Sequence, residues 1–182
     1  MKKISKFLTI TAMCLASLFA LTACNLFGYD PKVFNYMEEL GFSITLDTSF
    51  NAGYESFVDD STGDTYGYVE FWSVRYSLCA IKDTISSYAE DIGVENLYEF
   101  AENFFFSEDI SGAPLAIKEC SDGEHFFYYS TDSYTNADGK DVNFLNVVME
   151  GEEHYYLIYF ACLKRDYEEA KIMEWARSIN VA

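Results

Sequence analysis

Apolar residues recur along the chain with two periods, near 3.6 and near 2, and the switches between them mark out the elements. From Phe7 to Leu21 the residues are apolar or small and uncharged. The next stretch predicts a helix: Asp30 is a good N-cap, Pro31 suits the first helical position, and Gly41 can close the end. Val33, Met37 and Leu40 share one face of it. Phe42 to Leu46 alternates as a strand, and Asn51-Ala52-Gly53 turns into a second, Tyr54 to Val58. After the polar loop from Asp59 to Asp64, a longer strand runs from Tyr66 to Leu78. It places Tyr68, Glu70, Trp72, Val74 and Tyr76 on one face.

Two helices follow by periodicity. Ile85, Tyr88, Ala89 and Ile92 repeat at helical spacing before Gly93, and Leu97, Phe100, Ala101 and Phe104 do so after it. Asn96 with Glu99 resembles a capping box. Pro114 marks the return to sheet. Strands are predicted over Leu115 to Cys120, Glu124 to Thr131, Val142 to Glu150 and His154 to Cys162, with Gly151-Glu152 as a two-residue hairpin connection. The last strand is apolar on both faces, with Tyr155, Leu157 and Tyr159 one way and Tyr156, Ile158 and Phe160 the other. That predicts a central strand covered on both sides. A final helix begins at Asp166, with Glu169 completing a capping box and Ile172, Trp175, Ala176 and Ile179 as its buried stripe.

The order is helix, three strands, a helical pair, four strands, helix. It predicts an α+β domain, a three-layer α/β/α sandwich around a mainly antiparallel sheet of about seven strands. Gly41-Phe42-Ser43-Ile44-Thr45-Leu46, the aromatic strand Tyr155-Tyr156-Leu157-Ile158-Tyr159-Phe160 and the terminal Trp175-Ala176-Arg177-Ser178-Ile179 resemble the PsbP-like sandwich of small exported proteins. The resemblance spans about residues 32–182. It is similar, too, to uncharacterised lipoproteins of clostridial type. It implies a non-enzymatic accessory or assembly role, and it carries over no functional residue.

The amino end follows the grammar of an export signal: Lys2, Lys3 and Lys6, the apolar run, then small residues. Leu21-Thr22-Ala23-Cys24 resembles the lipobox of bacterial lipoproteins. That resemblance implies lipidation of Cys24 and cleavage before it. Residues 1–23 are then signal peptide, 24–31 the lipidated Cys and a short tether, and 32–182 one globular domain. A diacylglyceryl group supplies the two acyl chains that stable anchoring needs. The expected location is the outer face of a bacterial membrane.

Composition narrows the partners. The 182-residue chain has 12 basic and 30 acidic residues, for a formal charge of −18. Cleavage removes three lysines and no acid, leaving nine basic residues and a charge of −21. This balance argues against nucleic acid and against flat adhesion to anionic lipid. The expected partners are therefore the membrane, through Cys24, and an envelope protein. Aromatics, 18% of the chain, can fill a sheet covered on both faces or line a ligand platform.

Candidate chemistry is sparse. Asp59, Asp60, Ser61 and Asp64 gather oxygen ligands without the spacing of an EF-hand, and Asp138-Gly139 reads as a turn. His125 and His154 open strands beside Glu124, Glu152 and Glu153, and would form a metal or acid/base site only if those strands met. Cys79, Cys120 and Cys162 allow at most one internal disulfide and read as small buried hydrophobes. No catalytic motif, metal set or cofactor motif stands out. Three readings result: a membrane-anchored, non-enzymatic binding or accessory module, a receptor for a small ligand or metal, and a cell-envelope hydrolase.

Overall fold

The computed structural model describes residues 30–58, 65–84, 93–107 and 115–182. In chain order these form β1 (Pro31–Tyr36), β2 (Phe42–Asp47), β3 (Asn51–Val58), β4 (Thr65–Trp72), β5 (Tyr76–Thr84) and α1 (Leu97–Ser107). Then come β6 (Lys118–Ser121), β7 (Phe126–Thr135), β8 (Asp141–Glu150), β9 (His154–Leu163), a 3-10 turn (Lys164–Asp166), α2 (Glu169–Arg177) and β10 (Asn180–Val181). The strands make two antiparallel sheets, a small one ordered β1-β2-β10 and a large one ordered β3-β4-β5-β9-β8-β7-β6. The protein is mostly sheet, with two helices among the described residues.

The stretch predicted as the first helix is β1. Its alternation decides the matter: Phe34 is buried while Val33 is half exposed. The Phe34 ring meets Phe71 edge-on at 5.2 Å, and Tyr36 stacks on Tyr54 at 6.2 Å. The helical signal there amounts to one turn. The Leu40 and Gly41 N–H groups donate to the Tyr36 and Met37 carbonyls. Gly41 then ends the turn at φ +66°, a conformation that suits glycine.

The predicted long strand Tyr66 to Leu78 is two strands, β4 and β5, joined through Ser73-Val74-Arg75. The Ser73 hydroxyl accepts from the Tyr76 N–H at 3.1 Å, and the Ser73 N–H donates to the Tyr76 carbonyl at 2.9 Å. A serine that satisfies its own turn in this way competes with a continuing ladder. The break changes which side faces what. Tyr76 is buried in the core and Val74 is fully exposed, so they do not share the face of Trp72.

The large sheet has an inner and an outer face. Val69, Phe71, Leu78, Ala80, Leu145, Val147, Tyr156, Ile158 and Phe160 point inward, against the small sheet and the α2 residues Ile172, Met173, Trp175 and Ala176. The predicted stripe of α2 is buried as expected. The capping box predicted at Asp166 and Glu169 does not form: residues 164–166 are a 3-10 turn, and α2 starts after Glu168 with no side-chain cap. On the outer face, Leu97, Phe100, Ala101 and Phe105 of α1 pack on Val148, Tyr155 and Leu157. Strand β9 is central and buried from both sides, as its double apolar pattern predicts. The helix predicted over 85–92 lies outside the described residues. No helix among the described residues is long and apolar enough to cross a membrane.

Candidate functional site: an aromatic groove on the large sheet

Antiparallel register brings outer-face residues of neighbouring strands into rows. One row reads Trp72, Ser77, Ala161, Phe144, Asp132 across β4, β5, β9, β8 and β7. The next reads Glu70, Cys79, Tyr159, Asn146, Ser130. Small side chains, Ser77, Cys79 and Ala161, therefore lie between larger ones. The result is a groove of about 470 Å³, with Trp72 and Glu70 on one wall and Phe144 and Tyr159 on the other. Its floor is Ser77 and Cys79 of β5 and Ala161 of β9.

Each wall has a reason to stand. The six-membered edge of the Trp72 indole lies 3.5 Å from where a Cβ on Gly53 would sit. The indole packs over Gly53 and stays 46% exposed. Phe144 stacks on Tyr134 at 5.3 Å, and Tyr159 meets Phe104 of α1 at 5.6 Å. Below them the Asn146 amide donates to the Ser130 hydroxyl at 3.3 Å, and both are buried. That pair holds β7 and β8 together where the groove meets the part of the face under α1.

The groove is acidic. Burial and the neighbouring Glu70 carboxylate push the Cys79 thiol up to about 11, so it stays a neutral thiol near pH 7. Tyr68 donates to Glu55 at 2.5 Å on the same face, and that bond pushes the phenol up to about 12. A neutral thiol beside a carboxylate is a poor nucleophile. The arrangement offers an aromatic surface with fixed negative charge, which is a recognition chemistry.

The residues singled out in the sequence fall elsewhere. Cys24 and the Asp59, Asp60, Ser61, Asp64 loop lie outside the described residues. His125 and His154 do not come side by side. They open β7 and β9, and β8 runs between those strands, about 10 Å of separation at two strand spacings. His125 pairs instead with Asp122, Nδ1 to carboxylate at 3.1 Å, and Arg177 Nε reaches the same carboxylate at 3.3 Å. Partial burial works upward on Asp122, but the backbone N–H groups of His125 and Glu124 and the imidazole hold it below the usual carboxylate range. This is a closed turn, and Asp138-Gly139 is another, organised by Asn136. Cys79, Cys120 and Cys162 carry free thiols, with Cys120 and Cys162 buried as small hydrophobes. Among the described residues no three His, Cys, Asp or Glu side chains gather to hold a metal.

The chain matches no protein-family model and no curated protein. Its fold does have solved counterparts. The solution structure of the cyanobacterial PsbP protein CyanoP from Synechocystis superposes with TM-score 0.52 at 10% identity, covering 85% of this chain and 94% of that one. A protein from Bacteroides thetaiotaomicron superposes with TM-score 0.50 at 13% identity over 83% of this chain and 48% of the other. This chain thus spans about half the length of the Bacteroides protein. The fold is PsbP-like.

Proposed function

We propose that this chain is a lipoprotein held by Cys24 on the outer face of a bacterial membrane, and that its domain is a non-enzymatic binding or accessory module. The observation that carries the binding role is the groove between Trp72 and Phe144, an aromatic and acidic recess whose one thiol is held neutral. The PsbP-like fold supports the reading at the level of architecture only. The three-layer α/β/α arrangement is part of the same proposal, supported by α1 and α2 packing on opposite faces of the large sheet. For the anchor, Leu21-Thr22-Ala23-Cys24 is the support.

The test is cross-linking in the native cell, followed by capture of the tagged lipoprotein and mass spectrometry. One envelope protein recovered repeatedly is the expected result. Turnover of an envelope substrate by the purified protein, lost on a single carboxylate or histidine substitution, would overturn the proposal. The groove volume, about 470 Å³, also falls in the range of small-ligand sites. That favours a small-molecule receptor as the second reading, which a thermal-shift screen checks.

A further inference from the structure

We infer that the groove receives a lysine- or arginine-bearing segment of a partner protein. The inference rests on the binding-module reading and adds the chemistry of the partner. Three observations carry it.

The first is shape. Ser77 and Cys79 of β5 and Ala161 of β9 make a floor of small residues between Trp72 on β4 and Phe144 on β8, and Tyr159 rises from β9 at the end nearer α1. A small-molecule site encloses most of its ligand. A recess on the face of a sheet, with Trp72 and Glu70 exposed beside a floor of small residues, fits one long side chain and the partner backbone that carries it.

The second is the wall chemistry. Trp72 presents nearly half its surface, with Glu70 two residues back on the same wall. An indole face attracts ammonium and guanidinium groups, and a carboxylate beside it completes the charge match. Phe144 and Tyr159 opposite can cover the aliphatic stem of the same side chain.

The third is charge distribution over the whole face. Along the described strands of the large sheet, outer positions carry Glu55, Glu70, Glu119 and Asp132 and no lysine or arginine. The two lysines of those strands, Lys82 and Lys118, pair across to Tyr156 and Tyr129, which belong to the inner face. Helix α1 adds Glu99 and Glu102 and no basic residue. Along the chain, the nearest basic residue to Trp72 is Arg75, in the turn beyond it. Segregation of this kind steers a cationic partner to one side of the molecule.

The experiment titrates the full-length protein in mild detergent with fluorescein-labelled hexalysine and hexaarginine, against hexaglutamate and a serine–glycine hexapeptide, by anisotropy. Trp72→Ala and Glu70→Gln are compared with Glu174→Gln, which removes one exposed charge from α2 on the other side. Binding of the cationic peptides alone is expected. Trp72→Ala should weaken it roughly tenfold, and Glu70→Gln several-fold, while Glu174→Gln changes it less than about twofold. Because Glu70 is exposed, its variant keeps the test valid if loss of the indole disturbs folding. Equal weakening by Glu70→Gln and Glu174→Gln would mean diffuse attraction to an acidic protein and would overturn the inference. So would a failure to prefer cationic peptides. The two readings fail separately. A constant partner cross-linked through another face leaves the binding role standing and removes this inference. Enzymatic turnover removes the binding role and leaves the peptide pattern intact.

Discussion

Lys171 shows how much a single position can hold. Its ammonium lies 3.5 Å from the Asp47 carboxylate, 4.9 Å from the Trp175 ring centre and 5.5 Å from that of Tyr76. Both charged side chains are largely buried, at 16% and 10% exposed. Asp47 also accepts from the Ser49 N–H and hydroxyl, which fixes the turn after β2. Lys171→Met keeps the stem and strands the carboxylate. We expect a loss of roughly 1–3 kcal/mol, read by urea denaturation, with part of it recovered by adding Asp47→Asn. A second residue-scale expectation concerns alkaline pH. Burial pushes Tyr76, Tyr155 and Tyr156 up to about 12 from the ordinary 10.0. The unfolded chain then ionises first, so this stabilisation is complete below pH 10 and is lost as pH rises towards 12. The Tyr156 hydroxyl also donates to the Leu40 carbonyl at 3.0 Å. Absorbance of phenolate and circular dichroism, followed together, should change in that window. Ionisation complete near pH 10 with the fold intact would contradict it.

Among the elements, α1 was the most legible. Asn96 accepts from the Glu99 N–H at 3.1 Å, as its place before an apolar periodic run predicts. The return contact differs: the Glu99 carboxylate reaches the Glu95 N–H at 2.8 Å, one residue earlier than a capping box requires. Asn96→Ala should cost about 1 kcal/mol and raise amide exchange first in α1. An unchanged exchange pattern would show that packing of Phe100 and Phe105, not the cap, holds the helix. Where reading failed, a local signal was outweighed. Asp30, Pro31 and Gly41 are sound helix punctuation, but Phe34 and Tyr36 bury more as alternate strand residues against Phe71 and Tyr54. Ser73 sits in a run of strand-forming residues, and only its hydroxyl chemistry breaks it. The groove was half legible. The alternation of Glu70 with Trp72 and the facing of Tyr159 could be read from period 2. Their gathering around Ser77 and Ala161 depends on strand order and register, which no local pattern encodes.

For the molecule as a whole, charge bears on the proposed anchor. A chain of formal charge −18 is repelled by anionic headgroups, so in the proposed lipoprotein the hold on a bilayer would come from lipid. Cys24→Ala should move the protein out of the membrane fraction in fractionated cells, and mass spectrometry should find no lipid on its N-terminus. Lipid still present on the variant would refute the lipobox reading. The other whole-molecule feature is the closure of the small sheet. Asn180 and Val181 pair with Ser43 and Phe42, and the first of these pairs is 137 residues apart in the chain. The Ala182 N–H then donates to the Gly41 carbonyl, and the Glu152 N–H to the Ala182 carbonyl. Contacts of such sequence separation form late and slowly, on the millisecond-to-second scale of sheet-rich domains. Until residues 180–182 are free to dock, β2 keeps an unpaired edge. A chain caught before that docking offers the free edge of β2 to a strand of another molecule, which makes the β10 pairing a guard against sheet extension between copies.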